Sequence, residues 1–319
     1  MRFLSGTDND KTNLARLVIA MAGSVGVRLA GMLFAFLIGV QLARGLGPEG
    51  YGAYGIAMAV IAVLMIPTEL GLPQLLVREV SSSFAREQEG AARLSVRWAI
   101  NIVAKSSVAI ASVMGLLLIT GAINVDHAVR YTLYVGLLCI PVVALGNIYG
   151  AALRGMGQVV VGQMGEVLLR PLLVSSMLFV AFTLAGGDIR PYHAMGINVA
   201  GALFAAVFSA AMLRRVLSNK SFNTVPPGLK ITDAVPMAMS EGMRILAGHV
   251  GMFILGAYSP TADAALFRVA SAVYAMTTMP TALVNSVCSP KIAALYSERK
   301  FNELVKLIIP IFNSLKPIT

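Results

Sequence analysis

The chain has 319 residues, of which 57% are hydrophobic and 13% charged, with a mean hydropathy of +0.78. A soluble domain carries about twice that charged share, so the composition excludes an ordinary soluble enzyme and points to a membrane protein. The net charge of +10 arises mainly from biased loops, and no nucleic-acid partner is predicted.

Long apolar runs alternate with short polar stretches along the whole sequence. A helix needs about 20 apolar residues to cross a bilayer. These runs lack the period-two alternation of a membrane barrel, so helices are predicted. Eight complete spans fall at 16–43, 51–77, 98–121, 130–153, 162–186, 191–213, 234–258 and 264–290. A ninth begins near 301 and the sequence stops inside it at Thr319, as in a piece of a longer protein. The first span follows Asp8, Asp10, Lys11 and Arg16 and has no cleavage site after it, so it is a retained helix and not a signal peptide.

Basic residues set the predicted orientation. Sixteen lie in the N-terminal segment and in the segments after spans two, four, six and eight, among them Arg78, Arg86, Arg154, Arg214, Arg215 and Lys291. The opposite loops hold Arg44, Arg130 and Arg190. The positive-inside rule makes the richer side cytoplasmic, with the N-terminus inside; the same charges suit anionic membrane lipids. Residues 1–215 form a first six-helix bundle, 216–233 a cytoplasmic linker with Pro226, Pro227 and Gly228, and 234–319 a partial second bundle.

Two motifs invite misreading. Gly45-Leu-Gly47-Pro48-Glu49-Gly50 matches G-x-G-x-x-G, but a span precedes it where a nucleotide site needs a strand, so a tight outer turn is predicted. Gly146 and Gly150 have helix-contact spacing, which ordinary small-residue packing explains. His127, His193 and His249 are scattered, and Cys139 and Cys288 form no metal or redox spacing. No metal, cofactor or catalytic set is predicted.

The chain contains a repeat. An offset of 213 residues places Tyr54 on Phe267 and Ala57 on Ala270, with a one-residue slip between Pro48 and Pro260. Six spans separate the two copies, so both enter the membrane in the same direction, a plan that transporters use.

Three blocks carry a family resemblance. They are Leu42-Ala-Arg44-Gly-Leu-Gly47-Pro48-x-x-Tyr51-Gly-x-Tyr54, then Glu69-Leu-Gly71-Leu-Pro-x-x-Leu-Val-Arg78-Glu79, and Ala152-Leu-Arg154-Gly155-Met-Gly157-Gln leading to Glu166-Val-Leu-Leu-Arg170-Pro171. In this order they resemble the bacterial polysaccharide (O-antigen) flippases of the multidrug/oligosaccharidyl-lipid/polysaccharide exporter superfamily. The resemblance implies an all-α integral membrane fold of two bundles, the second incomplete here. It also implies a bacterial inner-membrane transporter, not an enzyme. The implied cargo is a lipid-linked oligosaccharide, an undecaprenyl-pyrophosphate bearing a sugar repeat unit, moved by alternating access.

Charges inside spans are the candidates for the site, since an intramembrane charge is costly unless it faces protein or water. Arg28 lies 12 residues past Arg16, about 18 Å along a helix, which places it near the bilayer centre. Glu241 and Arg244 lie about a third of the way into span seven, and the repeat offset puts Glu241 on Arg28. Arg28 and Arg244 are predicted to bind phosphate oxygens; Glu241 either binds a coupling cation or proton or holds Arg244. Lys105, Arg170 and Arg268 are secondary candidates, with Glu166–Arg170 a local bridge and Arg268 able to snorkel outward. Glu69 and Arg78 are assigned to the cytoplasmic interface. The alternatives are a cation-coupled multidrug antiporter of the same fold and a multispan membrane glycosyl or acyl transferase.

Overall fold

The computed structural model describes residues 7–86, 88–123, 125–184, 189–218, 235–274 and 277. The ninth span and most of the expected linker, 219–233, lie outside the described residues. Ala22–Ala272 pack as one compact unit; a second unit, Met1–Met21 with Val273–Thr319, lies largely outside them.

Every described regular element is helical. Helix α1 (Thr7–Glu69) is two arms joined at Gly47, where φ is 68° and ψ is 177°. A side chain is strained at that φ, so glycine belongs there. Pro48 comes next, its fixed φ suited to starting the second arm, 48–69. The G-x-G-x-x-G stretch is therefore a break between helices, as the sequence indicates. The second span ends at Glu69, earlier than predicted, because Leu70 (φ 50°) and Gly71 (φ 69°) are both left-handed. Beyond them α2 (Leu72–Ala85) is a separate helix with Leu72, Leu75, Leu76 and Val80 buried along one side.

Helix α3 (Glu89–Ile119) is followed by α4 (His127–Gly136) and α5 (Cys139–Gly155), a pair bent by 40° at the short break between them. Then come α6 (Val159–Gln163), a π-helical turn (Met164–Leu169), α7 (Arg170–Leu184), α8 (Pro191–Ser218) and α9 (Val235–Tyr258). Helix α10 covers 261–274 and gives the first part of the predicted eighth span. The prolines expected to interrupt spans mostly start helices: Pro73, Pro141, Pro171 and Pro236 each fall within the first three residues of α2, α5, α7 and α9. Pro67 sits inside the second arm of α1; Pro280 lies outside the described residues.

Pro171 also accounts for the π turn. Proline cannot donate to the carbonyl four residues back, and its ring crowds that carbonyl. The ladder widens over Met164–Leu169, and the carbonyl that loses its usual donor to Pro171 is that of Val167. A Cβ added at Gly31 would collide with that carbonyl, so α1 runs directly against the turn. Gly23 against Val160 and Gly45 against Phe182 continue the same parallel packing. On the other sides Gly150 meets the Gly162 backbone and Gly165 meets Ser209 of α8. These close approaches realise the helix-contact spacing of Gly146 and Gly150.

The outward surface is an apolar belt, with Ile119, Leu184, Phe204, Val207 and Leu116 all more than half exposed. That inversion of a soluble surface suits lipid. Inside, Leu42, Tyr54, Ile61, Leu133, Ile140 and Met195 are among the buried residues of one core cluster; Leu72, Leu76, Val103, Ile148 and Leu153 belong to a second.

The second arm of α1 also packs on α9 and α10. Gly52 abuts Ala265 and Gly55 abuts Arg268. Each is paired with the residue that the 213-residue offset equates with it, the pattern that a two-fold axis along this seam produces.

Gly31 and Gly26 give a direct test of this packing, since Gly26 has open space around it. Gly31→Ala is expected to destabilise by about 1–3 kcal/mol through overpacking, and Gly26→Ala to stay within about 1 kcal/mol of the parent. Thermal unfolding of the purified protein reads both. Equal melting of the two variants would refute the contact between α1 and the π turn.

Candidate functional site: a polar cavity and its buried network

A cavity of about 370 Å³ lies between the second arm of α1, α5, the start of α7, and α9. Its apolar wall includes Met58, Ile61, Met65 and Val143; its polar groups are Glu69, Asn147, Arg170, Glu241, Arg244 and His249. A second cavity of about 380 Å³ adjoins it toward α10, with Tyr51 and Arg268 among its lining. Met58, Ala62, Gly248 and His249 line both, so polar space continues along the second arm of α1.

The polar groups arise from helix geometry. Glu241 and Arg244 are one turn apart on α9 and form an ion pair, with Arg244 Nε donating to Glu241 Oε2 at 3.0 Å. The Arg244 side chain is 73% exposed and that of Glu241 31%, so the guanidinium remains accessible from the cavity. Glu69, the last residue of α1, accepts a hydrogen bond from Asn147 Nδ2 at 2.6 Å.

Behind the cavity runs a buried chain of polar side chains. Arg170 Nη1 donates to Glu166 Oε2 at 2.9 Å, and Arg170 Nη2 donates to Asn198 Oδ1 at 2.8 Å. Asn198 Nδ2 donates to the Tyr54 hydroxyl at 2.6 Å. The Arg268 guanidinium lies 5.1 Å from the Tyr54 ring centroid and 5.2 Å from that of Tyr51, within cation–π range. One connected set thus spans the π turn, α7, α8, the second arm of α1 and α10. The π turn matters here because it falls between Gln163 and Arg170, and such turns concentrate at functional positions.

Of the residues singled out in the sequence, Glu241, Arg244 and Arg170 meet in the first cavity and Arg268 lines the second. Glu166–Arg170 and Glu241–Arg244 are the local bridges that their spacings allowed. Arg268 stacks on two tyrosines in place of snorkelling. Lys105 is exposed on α3. Arg28 is not part of either cavity wall; its Nε donates to Gln163 Oε1 at 3.2 Å. That contact places Arg28 level with the first turns of the Val159–Leu184 span, nearer its start than the mid-membrane depth counted from Arg16. Glu69, assigned to the cytoplasmic interface from the sequence, ends its helix at the Leu70–Gly71 break with its carboxylate on the cavity wall.

The profile of the family described as polysaccharide biosynthesis protein matches residues 21–296. The chain belongs to this family. A comparison with curated proteins found no match. Among solved structures the fold matches an inward-facing conformation of a multidrug resistance MATE family transporter of the MOP superfamily. Its TM-score is 0.61 at 15% identity, over 88% of this chain and 68% of that one. An outward-facing conformation of a transporter so described matches with a TM-score of 0.60 at 17% identity, over 90% and 66%. A crystal structure of MATE in complex with MaD5 matches equally well, 0.60 at 17% identity, over 90% and 68%. The polysaccharide biosynthesis protein therefore has an all-α multi-pass membrane fold, and the chain spans about two thirds of each of those structures.

Sequence reasoning missed Glu69, Asn147, Asn198, Gln163 and Tyr54 in this family member. Charge alone singles out ionised groups, yet an uncharged amide inside a span is itself costly and needs a partner. Asn147 and Asn198 were visible on that ground.

Asn198 joins Arg170 to Tyr54, so the two bonds are testable together. Tyr54→Phe should cost about 1 kcal/mol, and Asn198→Ala about 1–3 kcal/mol or more, because it strands a donor of Arg170. The double variant should cost less than their sum. Strict additivity in thermal unfolding would show that the two side chains are not coupled.

Proposed function

We propose that this polysaccharide biosynthesis protein is a flippase and not an enzyme. It moves a lipid-linked oligosaccharide, an undecaprenyl-pyrophosphate carrying a sugar repeat unit, across the bacterial inner membrane by alternating access, with its N-terminus cytoplasmic. The observation that carries the reading is the polar cavity beside the second arm of α1, set in a bundle whose outside is apolar.

The cargo poses one physical problem. Its head is hydrophilic and anionic and must cross hydrocarbon, while its tail is at home in lipid. Arg244 and Arg170 supply cationic donors to the anionic part. Asn147 and His249 offer hydrogen bonds to sugar hydroxyls, and Met58, Met65 and Ile61 fit their apolar faces. Glu69 and Glu241 are the cavity carboxylates at which a coupling cation or proton would exchange. Transport requires the seam between the second arm of α1 and α9–α10 to open on alternate sides. Apart from the Arg268 stack on Tyr51 and Tyr54, contacts such as Gly52 with Thr261 and Gly256 with Ile56 are apolar or backbone, and among the described residues no ion pair joins the two sides.

Complementation tests the reading. In cells depleted of the native protein, the parent chain should restore export and clear accumulated lipid-linked repeat units. Arg244→Ala should reach the membrane normally yet leave those intermediates to accumulate; Arg244→Lys should retain part of the activity, since the charge survives and the planar fork is lost. If lipid-linked sugars are unaffected by the parent chain while it extrudes cationic dyes, the multidrug antiporter reading replaces this one.

A further inference from the structure

Helix α3 packs on α2 and α5, with Val96, Ala99 and Val103 in the shared core, and no residue of it lines either cavity. Its opposite face is exposed and changes character along its length. Arg97, Asn101 and Lys105 come first, one turn apart, and Val108, Leu116 and Ile119 follow. At 3.6 residues per turn all six fall within an arc of about 100°. Among the described residues Arg97 and Lys105 have no hydrogen bond or ion pair, and beyond its first residue, Glu89, α3 contains no acid. Lys105 lies 14 residues before Ile119, about 21 Å along the helix. With the end of α3 at one edge of hydrocarbon about 30 Å thick, Lys105 is rooted inside the other edge and Arg97 lies at it. An ammonium on an exposed face at that depth is costly unless its charge is met. Helical side chains lean toward the N-terminus of their helix, here the headgroup layer, so Lys105 is carried toward Asn101 and Arg97.

We propose that this face of α3 is a binding site for an anionic phospholipid of the surrounding membrane. Lys105 meets the phosphate from the hydrocarbon side, Arg97 meets the headgroup from the water side, and Asn101 between them donates to a glycerol ester carbonyl. One acyl chain lies along Val108, Leu116 and Ile119. The order of the face is thus the order of the lipid, charge first and hydrocarbon after. A zwitterionic lipid adds its own cation to the two already present, so the site selects net negative charge. A second copy of the chain does not match it: the acids deepest in the described spans are engaged, Glu166 with Arg170, Glu241 with Arg244 and Glu69 with Asn147. The assignment rests on the membrane fold alone and not on the cargo proposed above.

Trp98, half-buried beside Arg97, is the one tryptophan of the chain, so its fluorescence reports the lipids at this face. The full chain is placed in phosphatidylcholine bilayers holding a minor share of either phosphatidylglycerol or phosphatidylcholine brominated close to the ester, since bromine quenches tryptophan on contact. Brominated phosphatidylglycerol should quench the parent more strongly, and added salt should narrow the difference. R97Q and K105Q should each lower the apparent affinity for phosphatidylglycerol about fivefold, and K105R should keep most of it. Both neutral variants change only the exposed face, which leaves the packed side of α3 intact. R214Q, which alters an exposed arginine near the end of α8, should behave as the parent does. Equal quenching of the parent by the two lipids, or a preference that R97Q and K105Q leave unchanged, would overturn the proposal. Weak quenching by both lipids would also overturn it, since protein would then cover this face. None of these outcomes bears on the complementation result, which judges the flippase reading separately.

Discussion

Hydrocarbon offers no hydrogen bonds, so each charged or amide side chain within these helices must be satisfied by the protein itself. The polar architecture of the chain stems from that demand. Arg170 illustrates it: well inside the Val159–Leu184 span, one terminal nitrogen is met by Glu166 and the other by Asn198. The second bond draws α8 toward α7, and the amide of Asn198 then reaches Tyr54 on the second arm of α1. Tyr54 in turn offers its ring face to Arg268 of α10. The π turn and four helices are tied together because one guanidinium could not be left alone.

Small residues make that convergence possible. Between membrane helices there is little hydrophobic gain, and close backbone approach with van der Waals contact takes its place. Gly31, Gly150 and Gly165 let α1, α5 and α8 approach α6 and the π turn closely, and Gly52, Gly55 and Gly256 do the same for the seam with α9 and α10. The two sets behave differently. Around the π turn the glycines accompany buried ionic and amide bonds, which resist separation. Along the seam the contacts are mostly apolar, apart from the Arg268 stack. The seam is the side of the molecule suited to opening, and the polar cavity lies beside it.

Much of the fold was legible because membrane helices announce themselves through length and hydropathy. The break at Gly47–Pro48 and the ion pairs at i,i+3 and i,i+4 are set by residue chemistry at short range. The features that escaped prediction depend on contacts distant in sequence. The apolar stretch 51–77 reads as one span, yet Leu70 and Gly71 turn left-handed and send α2 away. Arg28 stands out as an isolated charge, but only its bond to Gln163 reveals its level in the bundle. Pro171 signals a disturbance; that the disturbance is a π turn facing Gly31 depends on α1 lying alongside. The site was half visible for the same reason: Glu241 and Arg244 are a local pair, whereas Glu69 reaches the cavity through a turn and an amide 78 residues away.

The central claim is that the second arm of α1 must part from α9 for cargo to pass. Ile56 and Gly256 face each other across that seam in direct contact, close enough for a disulfide between cysteines placed there. Transport of the proposed cargo, a lipid-linked oligosaccharide, by the Ile56→Cys, Gly256→Cys double variant, before and after oxidation, measures the claim directly. The account predicts that the oxidised protein is locked and inactive and that reduction restores transport. Undiminished transport by the fully cross-linked protein would contradict it.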